Sequence, residues 1–433
     1  MDLRSRLRSI VNGGAPAAPR NELTYEPDTG RYEATIDLDR VASVLGGSVV
    51  TNSFGRALVI DRRYESDRYH GTRRVGECEV ADDEHLRLLD PGLPPPDGVG
   101  ERTLFVDLET TGLSGGAGTV AFLVGVGWFD LGAFQVRQFL LTSYASERAL
   151  LAAVADCFDA ARVLVTYNGK TFDVPVMETR WLFHRLPLPL ESVRHFDMLH
   201  PARRLWRGRV GASADGEGGC RLSTLERVLC GVRRVGDVPG MEIPSRYFRF
   251  LRTGDARPLE PVLEHNRLDL ISLAAVAARA VELAAGGAGA CLDAAEALAL
   301  GRVYERAGAV EGALACYSRV CGDRSAPAEV VAEALYYRGV RLRRERRFDE
   351  AAEAWRALLD VQGRSELLRT LRRCATEALA VHHEHRERDY EMARELARTL
   401  LEDVSAGNRD RARHRVARLD RKIASNDNSQ LFA

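Results

Sequence analysis

The chain has 433 residues, 45% of them hydrophobic and 28% charged, with a formal net charge of −1. Its length exceeds what one ordinary core takes in, so two or three domains are expected. No apolar run nears the roughly twenty residues that cross a bilayer, and the near-zero charge confines any nucleic-acid surface to a local patch.

Met1–Arg8 reads as a short first helix, without the apolar core of a secretory signal, so a cytoplasmic location is expected. Residues 1–100 form an N-terminal extension. Within it, Ser48–Thr51 and Ala57–Asp61 flank an Asn-Ser-Phe-Gly turn and predict a β-hairpin. The extension closes in a Pro-rich linker, Asp90-Pro-Gly-Leu-Pro-Pro-Pro-Asp-Gly. The eight cysteines include no Cys-x-x-Cys pair, so reduced, mostly buried thiols are expected. Cys220 and Cys230, with His195 and His200, are the one conceivable cluster.

Residues 101–285 have an α/β pattern. Strands are predicted at Thr103–Leu108, Val120–Phe129 and Ala133–Leu141, then a helix near Glu147–Phe158. A buried strand at Arg162–Tyr167 leads to a helix around Val174–His184, with Pro175 in its first turn. Gly208–Gly219 reads either as a mobile loop over the site or as an inert insertion.

Over residues 286–425 strand signals vanish and Ala, Leu, Arg and Glu recur at helical spacing. Leu300-Gly301, Tyr304, Gly308, Ala313 and Tyr317 fit a tetratricopeptide-like hairpin. Gly339, Leu342, Ala351 and Trp355 repeat it, and Leu379–Leu400, with Ala393, is a weaker third copy. Small residues let paired helices approach, while Tyr or Trp fills the gap to the next hairpin. The arginines at 341, 343, 344, 346 and 347 read as solvent-facing, and His382, His383 and His385 as packed or solvent-facing. Residues 426–433 are a polar tail.

The chemistry is carried by three segments. In Leu104-Phe-Val-Asp-Leu-Glu-Thr-Thr-Gly-Leu113, Asp107 and Glu109 stand at i and i+2 on an apolar strand and so share one face. Two acids there repel unless a cation lies between them, and a hard divalent ion with oxygen ligands relieves that cost. An Asp-x-Glu on an exposed edge strand is the bland alternative. In Leu164-Val-Thr-Tyr-Asn-Gly-Lys-Thr-Phe-Asp173, an apolar strand delivers Asp173 to the mouth of the next helix, where it could also serve simply as a cap. In Glu264-His-Asn-Arg-Leu-Asp269, His265 and Asp269 share one helix face.

Together the three segments resemble the motifs of the DEDD (DnaQ-like) exonucleases. Closer still, Phe105–Thr119, Cys220-Arg-Leu-Ser-Thr-Leu-Glu226 and His265-Asn266-x-x-Asp269 are similar to the bacterial YprB-like ribonuclease H-like family. The resemblance implies a mixed α/β sheet flanked by helices, followed by the all-α repeats. It also implies Asp107, Glu109, Asp173 and Asp269 as ligands of two Mg²⁺ or Mn²⁺ ions. His265 lies four residues before Asp269, the spacing of the family's tyrosine subtype. It reads as general base for the attacking water, or as the group that orients it.

The expected function is 3′→5′ hydrolysis of phosphodiester bonds by a two-metal-ion mechanism, on a DNA or RNA substrate with a single-stranded 3′ end. Thr110, Gly112, Asn168, Lys170, Asn266, Arg203 and Arg204 are the expected substrate contacts, and Asp197 is a fifth acid in a structural role. Ser114–Thr119 is either a substrate-facing backbone or a plain hairpin turn. The alternative is a catalytically weak or inactive nuclease-like scaffold whose helical repeats bind a protein partner. No membrane partner is expected.

Overall fold

The computed structural model describes residues 36–80, 83–96, 100–112, 118–191, 193–210, 220–402 and 406–430. Met1–Arg8, most of Ser114–Thr119, residues 211–219 of the Gly-rich segment and the last three residues of the polar tail lie outside them.

A short helix, α1 (Leu38–Leu45), leads into the predicted hairpin of β1 (Ser48–Asn52) and β2 (Gly55–Tyr64). Asn52 pairs with Gly55, leaving Ser53 and Phe54 as the turn. Gly55 has φ +135°, a conformation side chains disfavour, which explains glycine there. The hairpin is not a separate appendage. Strand β2 pairs antiparallel with the strand Ala133–Leu140, seven residues deep, so the hairpin extends the main sheet.

After the small ribbon β3 (Tyr69–His70) and β4 (Arg73–Arg74) and the helix α2 (Asp83–Leu89), the central strands follow. They are β5 (Arg102–Thr110), β6 (Ala121–Asp130), β7 (Ala133–Leu140), β8 (Ala161–Thr166) and β9 (Arg194–Asp197), in the seven-stranded order β1-β2-β7-β6-β5-β8-β9. The β5–β6 and β6–β7 pairs are antiparallel, whereas β5–β8 and β8–β9 are parallel. The parallel strands are reached through helices, α3 (Glu147–Ala155) before β8 and α4 (Asp173–Phe183) before β9, as parallel pairing requires.

Strand β5 shows how the sequence builds two layers. Leu104, Val106 and Leu108 enter the core on one face with α3, while Phe105 joins the core on the other. Asp107 and Glu109 continue the face of Phe105, because side chains alternate along a strand.

Helices α5 (Leu199–Val210), α6 (Leu222–Cys230) and α7 (Ile243–Thr253) precede the long α8 (Glu260–Gly286). The run Leu270–Ala278 in α8 is buried all round, which is why its sequence is apolar without a polar stripe. Its C-terminal half enters the same core as the helices that follow: Ala280, Leu283 and Ala284 pack in one cluster with Ala294, Ala297 and Tyr304.

The remaining described chain is helical. Helices α9 (Ala294–Ala307) and α10 (Val310–Gly322) form one hairpin, α11 (Ala328–Arg344) and α12 (Phe348–Asp360) the next, and α13 (Glu366–His382), α14 (Tyr390–Glu402) and α15 (Ala406–Gln430) follow. Close approach rests on the small residues singled out above. A Cβ on Gly301 would meet the Tyr317 ring at 2.6 Å, and one on Gly339 the Trp355 ring at 2.3 Å. Ala393 is fully buried between α14 and its neighbours. Helix α15 continues through residue 430, so most of the expected polar tail is helical.

Candidate active site

The site forms where β5, the start of α4 and the first turns of α8 converge. Asp107 and Glu109 stand on the β5 face towards α8, just before a bulge at Glu109/Thr110. Asp173 is the first residue of α4, and its carboxyl accepts backbone hydrogen bonds from its own N–H and that of Leu108. Asp269 comes from α8, one turn after His265.

These four acids feel one another. Burial pushes Asp107 well above the usual carboxylate range, with Asp269, Glu109 and Asp173 adding repulsion. Burial, then the charges of Asp269, Asp173 and Asp237, raises Glu109 to about 8. Asp173 rises to about 7, mainly through burial, despite its backbone hydrogen bonds. Crowded carboxylates that hold their protons this firmly lack a counter-charge.

An all-oxygen donor set of this kind suits a hard divalent cation such as Mg²⁺ or Mn²⁺. Among the described residues, however, no three His, Cys, Asp or Glu side chains are already drawn together as ligands. Asp269 is instead engaged through Oδ1, at 2.5 Å, by the guanidinium of Arg234.

The other expected residues separate into four groups. Asn266 was expected to touch substrate, but it is fully buried. Its Nδ2 donates to the Asp107 carboxylate at 2.8 Å and to the Asp107 carbonyl at 3.1 Å, while its Oδ1 accepts from Gln138. It therefore orients Asp107 from beneath, and that expectation is corrected. Asn168 and Lys170 form a turn held by Asp197, whose carboxylate accepts their backbone N–H groups at 2.8 and 3.0 Å. Asn168 takes a left-handed φ of 67°, and the Lys170 ammonium rests on Asp90 at 3.2 Å. Thr110 donates to the Gly112 carbonyl, and Gly112 faces open space. Arg203 is exposed on α5, whereas Arg204 is half-buried and donates to the Leu89 carbonyl at 3.1 Å.

Residues 104–281 match the RNase_H superfamily. The chain is also 31% identical over 328 residues to an uncharacterized protein, YprB, of Bacillus subtilis (strain 168), covering 74% of this chain and 75% of the relative. It belongs to the YprB-like ribonuclease H-like family. This YprB-like chain thus carries a ribonuclease H-like nuclease domain joined to an all-helical region, and among its described residues no helix is long and apolar enough to cross a membrane.

The YprB-like site also contains residues that motif spacing did not reveal. Arg234, with a side chain only 7% exposed, pairs with Glu226 through two hydrogen bonds at 2.7 and 2.8 Å, with Asp237 at 3.2 Å and with Asp269. His265 joins the same network: its Nδ1 lies 2.7 Å from Asp237 and its Nε2 3.5 Å from Asp269. Glu226 also accepts from Ser272, whose hydroxyl lies 2.8 Å from His70. Gly125 is needed for a different reason, since a Cβ there would meet the Asn266 amide at 2.2 Å. Glu226 stands in the Cys-Arg-Leu-Ser-Thr-Leu-Glu segment noted above, but nothing in that segment announced an arginine eight residues on.

Proposed function

We propose that this protein is a divalent-metal-dependent 3′→5′ exonuclease acting on DNA or RNA. Asp107, Glu109, Asp173 and Asp269 would hold two Mg²⁺ or Mn²⁺ ions, which when bound supply Lewis acidity and positive charge at the scissile phosphate. The observation that carries this reading is the convergence of these acids from three elements, with three of them driven upward in pKa by burial and mutual repulsion.

The chain's own residues then divide the remaining work. Asn266 fixes the Asp107 carboxylate. Asp237 accepts from Nδ1–H of His265, which selects the tautomer with a free lone pair on Nε2, on the side of Asp269. That lone pair is suited to take a proton from water. Thr110, Gly112 and the Asn168 turn would meet a terminal nucleotide.

The test is a Mn²⁺-dependent digest of 3′-labelled and 5′-labelled oligonucleotides, in matched single-stranded and duplex DNA and RNA. Small products from the 3′ end, absent with Asp107→Ala and with a blocked 3′ terminus, are expected. Cleavage of a circular substrate would make the protein an endonuclease instead.

A second reading is favoured by one specific contact. Because Arg234 already neutralises part of Asp269, the domain could serve as an inactive scaffold with the repeats as its binding surface. Wild-type protein that yields no product with either metal on any of the four substrates supports that reading.

A further inference from the structure

A groove of about 910 Å³ runs between α5 of the nuclease domain and helices α9 and α11 of the helical region. Its lining includes seven arginines and three glutamates. The glutamates are already committed. Glu296 accepts from Trp206 and Arg279, Glu305 from Tyr317, and Glu333 lies 3.9 Å from Arg302. Among the described residues, Arg203, Arg207 and Arg306 have no carboxylate partner, although all three are exposed to the groove.

Like charges face each other across this groove, with Asp90 as a partial counter-charge to Arg204. The Arg204 guanidinium is held below its ordinary range, first by burial and then by the nearby charge of Arg306. Helix α5 thus brings one set of cations and α9 another, from two parts of the chain that had no need to face each other with the same sign. An anion between them removes that conflict.

The position of the groove indicates which anion. Helix α5 begins two residues after Asp197, whose carboxylate holds the Asn168–Lys170 turn of the candidate active site. Arg203 is close enough for its charge to act on Tyr167, the residue preceding that turn. At the far side, Arg302 sits 5.1 Å over the ring of Tyr337, a half-buried aromatic that also lines the groove. Spaced guanidinium forks along one groove are what the phosphates of a single strand of nucleic acid need.

We infer that this groove binds the phosphodiester backbone of a single-stranded nucleic acid, so that the helical repeats serve as a substrate arm of the nuclease domain. The inference rests on the proposed nuclease reading for its choice of polyanion, but its test needs no cleavage.

Binding of fluorescent single-stranded DNA and RNA of increasing length is measured by anisotropy, without divalent ions and in the Asp107→Ala background. Arg302→Glu/Arg306→Glu is expected to weaken binding of the longer strands on the order of tenfold and to lower the salt slope by ~1.4. Arg302→Gln/Arg306→Gln, with no reversed charge, should give a smaller loss in the same direction. Arg398→Glu, on the distal helix α14, is the control and should bind as the parent does. Affinity and salt slope equal to the parent in both groove variants overturn the inference, as does tighter binding of a poly-glutamate peptide than of either strand. If the digest fails while the groove variants lose affinity, the exonuclease reading falls and the groove stands.

Discussion

The guanidinium of Arg234 lies 2.5 Å from the carboxylate of Asp269, while its other edge forms a two-bond fork with Glu226. Among the described residues, Arg234 is therefore the one arginine or lysine paired with an acidic cluster that also includes Asp237. Removing it strands Glu226, which is 1% exposed, as an uncompensated buried charge. Arg234→Gln should lower unfolding free energy by ~3 kcal/mol, measured by urea denaturation. Adding Glu226→Gln should restore a large part of that loss, because the stranded charge disappears. A single variant as stable as wild type would refute this account of the cluster.

The raised acids set a pH dependence for the metal-free protein. Glu109 and Asp173 ionise near 8 and 7 in the fold but near 4.5 and 3.8 when unfolded. The folded state thus binds more protons than the unfolded state across that interval, so stability falls as pH rises from about 4 to 8. A divalent cation offsets the repulsion once the acids are charged. Thermal melts should show that Mg²⁺ or Mn²⁺ raises Tm more at pH 8 than at pH 5, by roughly 2–4 °C for each kcal/mol relieved. Equal shifts at both pH values would count against the four acids as the binding site.

Asn266 and Gly125 form a matched pair under Asp107. Gly125→Ala places a methyl where the Asn266 amide now sits, and the amide cannot retreat without breaking its bonds to Asp107 and Gln138. Both Gly125→Ala and Asn266→Ala should cost ~1–3 kcal/mol in stability. Each should also reduce cleavage chiefly through kcat, because the disturbed group orients Asp107. A change confined to KM would show that Asn266 meets the substrate after all.

The sheet strands were legible because β5, β6, β7 and β8 are apolar runs bounded by turn residues. The acids were legible because their spacing has a geometric meaning: i and i+2 on a strand, i and i+4 on a helix. Arg234 and Asp237 were not. They sit in the segment between α6 and α7, which has no period, and their partners are remote in sequence. Asn266 was misjudged for a related reason. Its neighbour His265 faces Asp237 and Asp269, and one residue further along a helix turns the side chain by about 100°, here into the core. The pairing of β2 with β7 was hidden as well, since strand order depends on contacts across 76 residues, as between Asp61 and Arg137.

Helix α8 has a consequence for how the molecule can move. Its first turns hold His265, Asn266 and Asp269, and its last turn packs on the helical region, where Tyr304 donates to the Ala284 carbonyl at 2.8 Å. No loop intervenes over its 27 residues, a rod of roughly 40 Å. The repeats are therefore not tethered cargo: they grip the handle of one continuous rod whose tip carries the candidate active site.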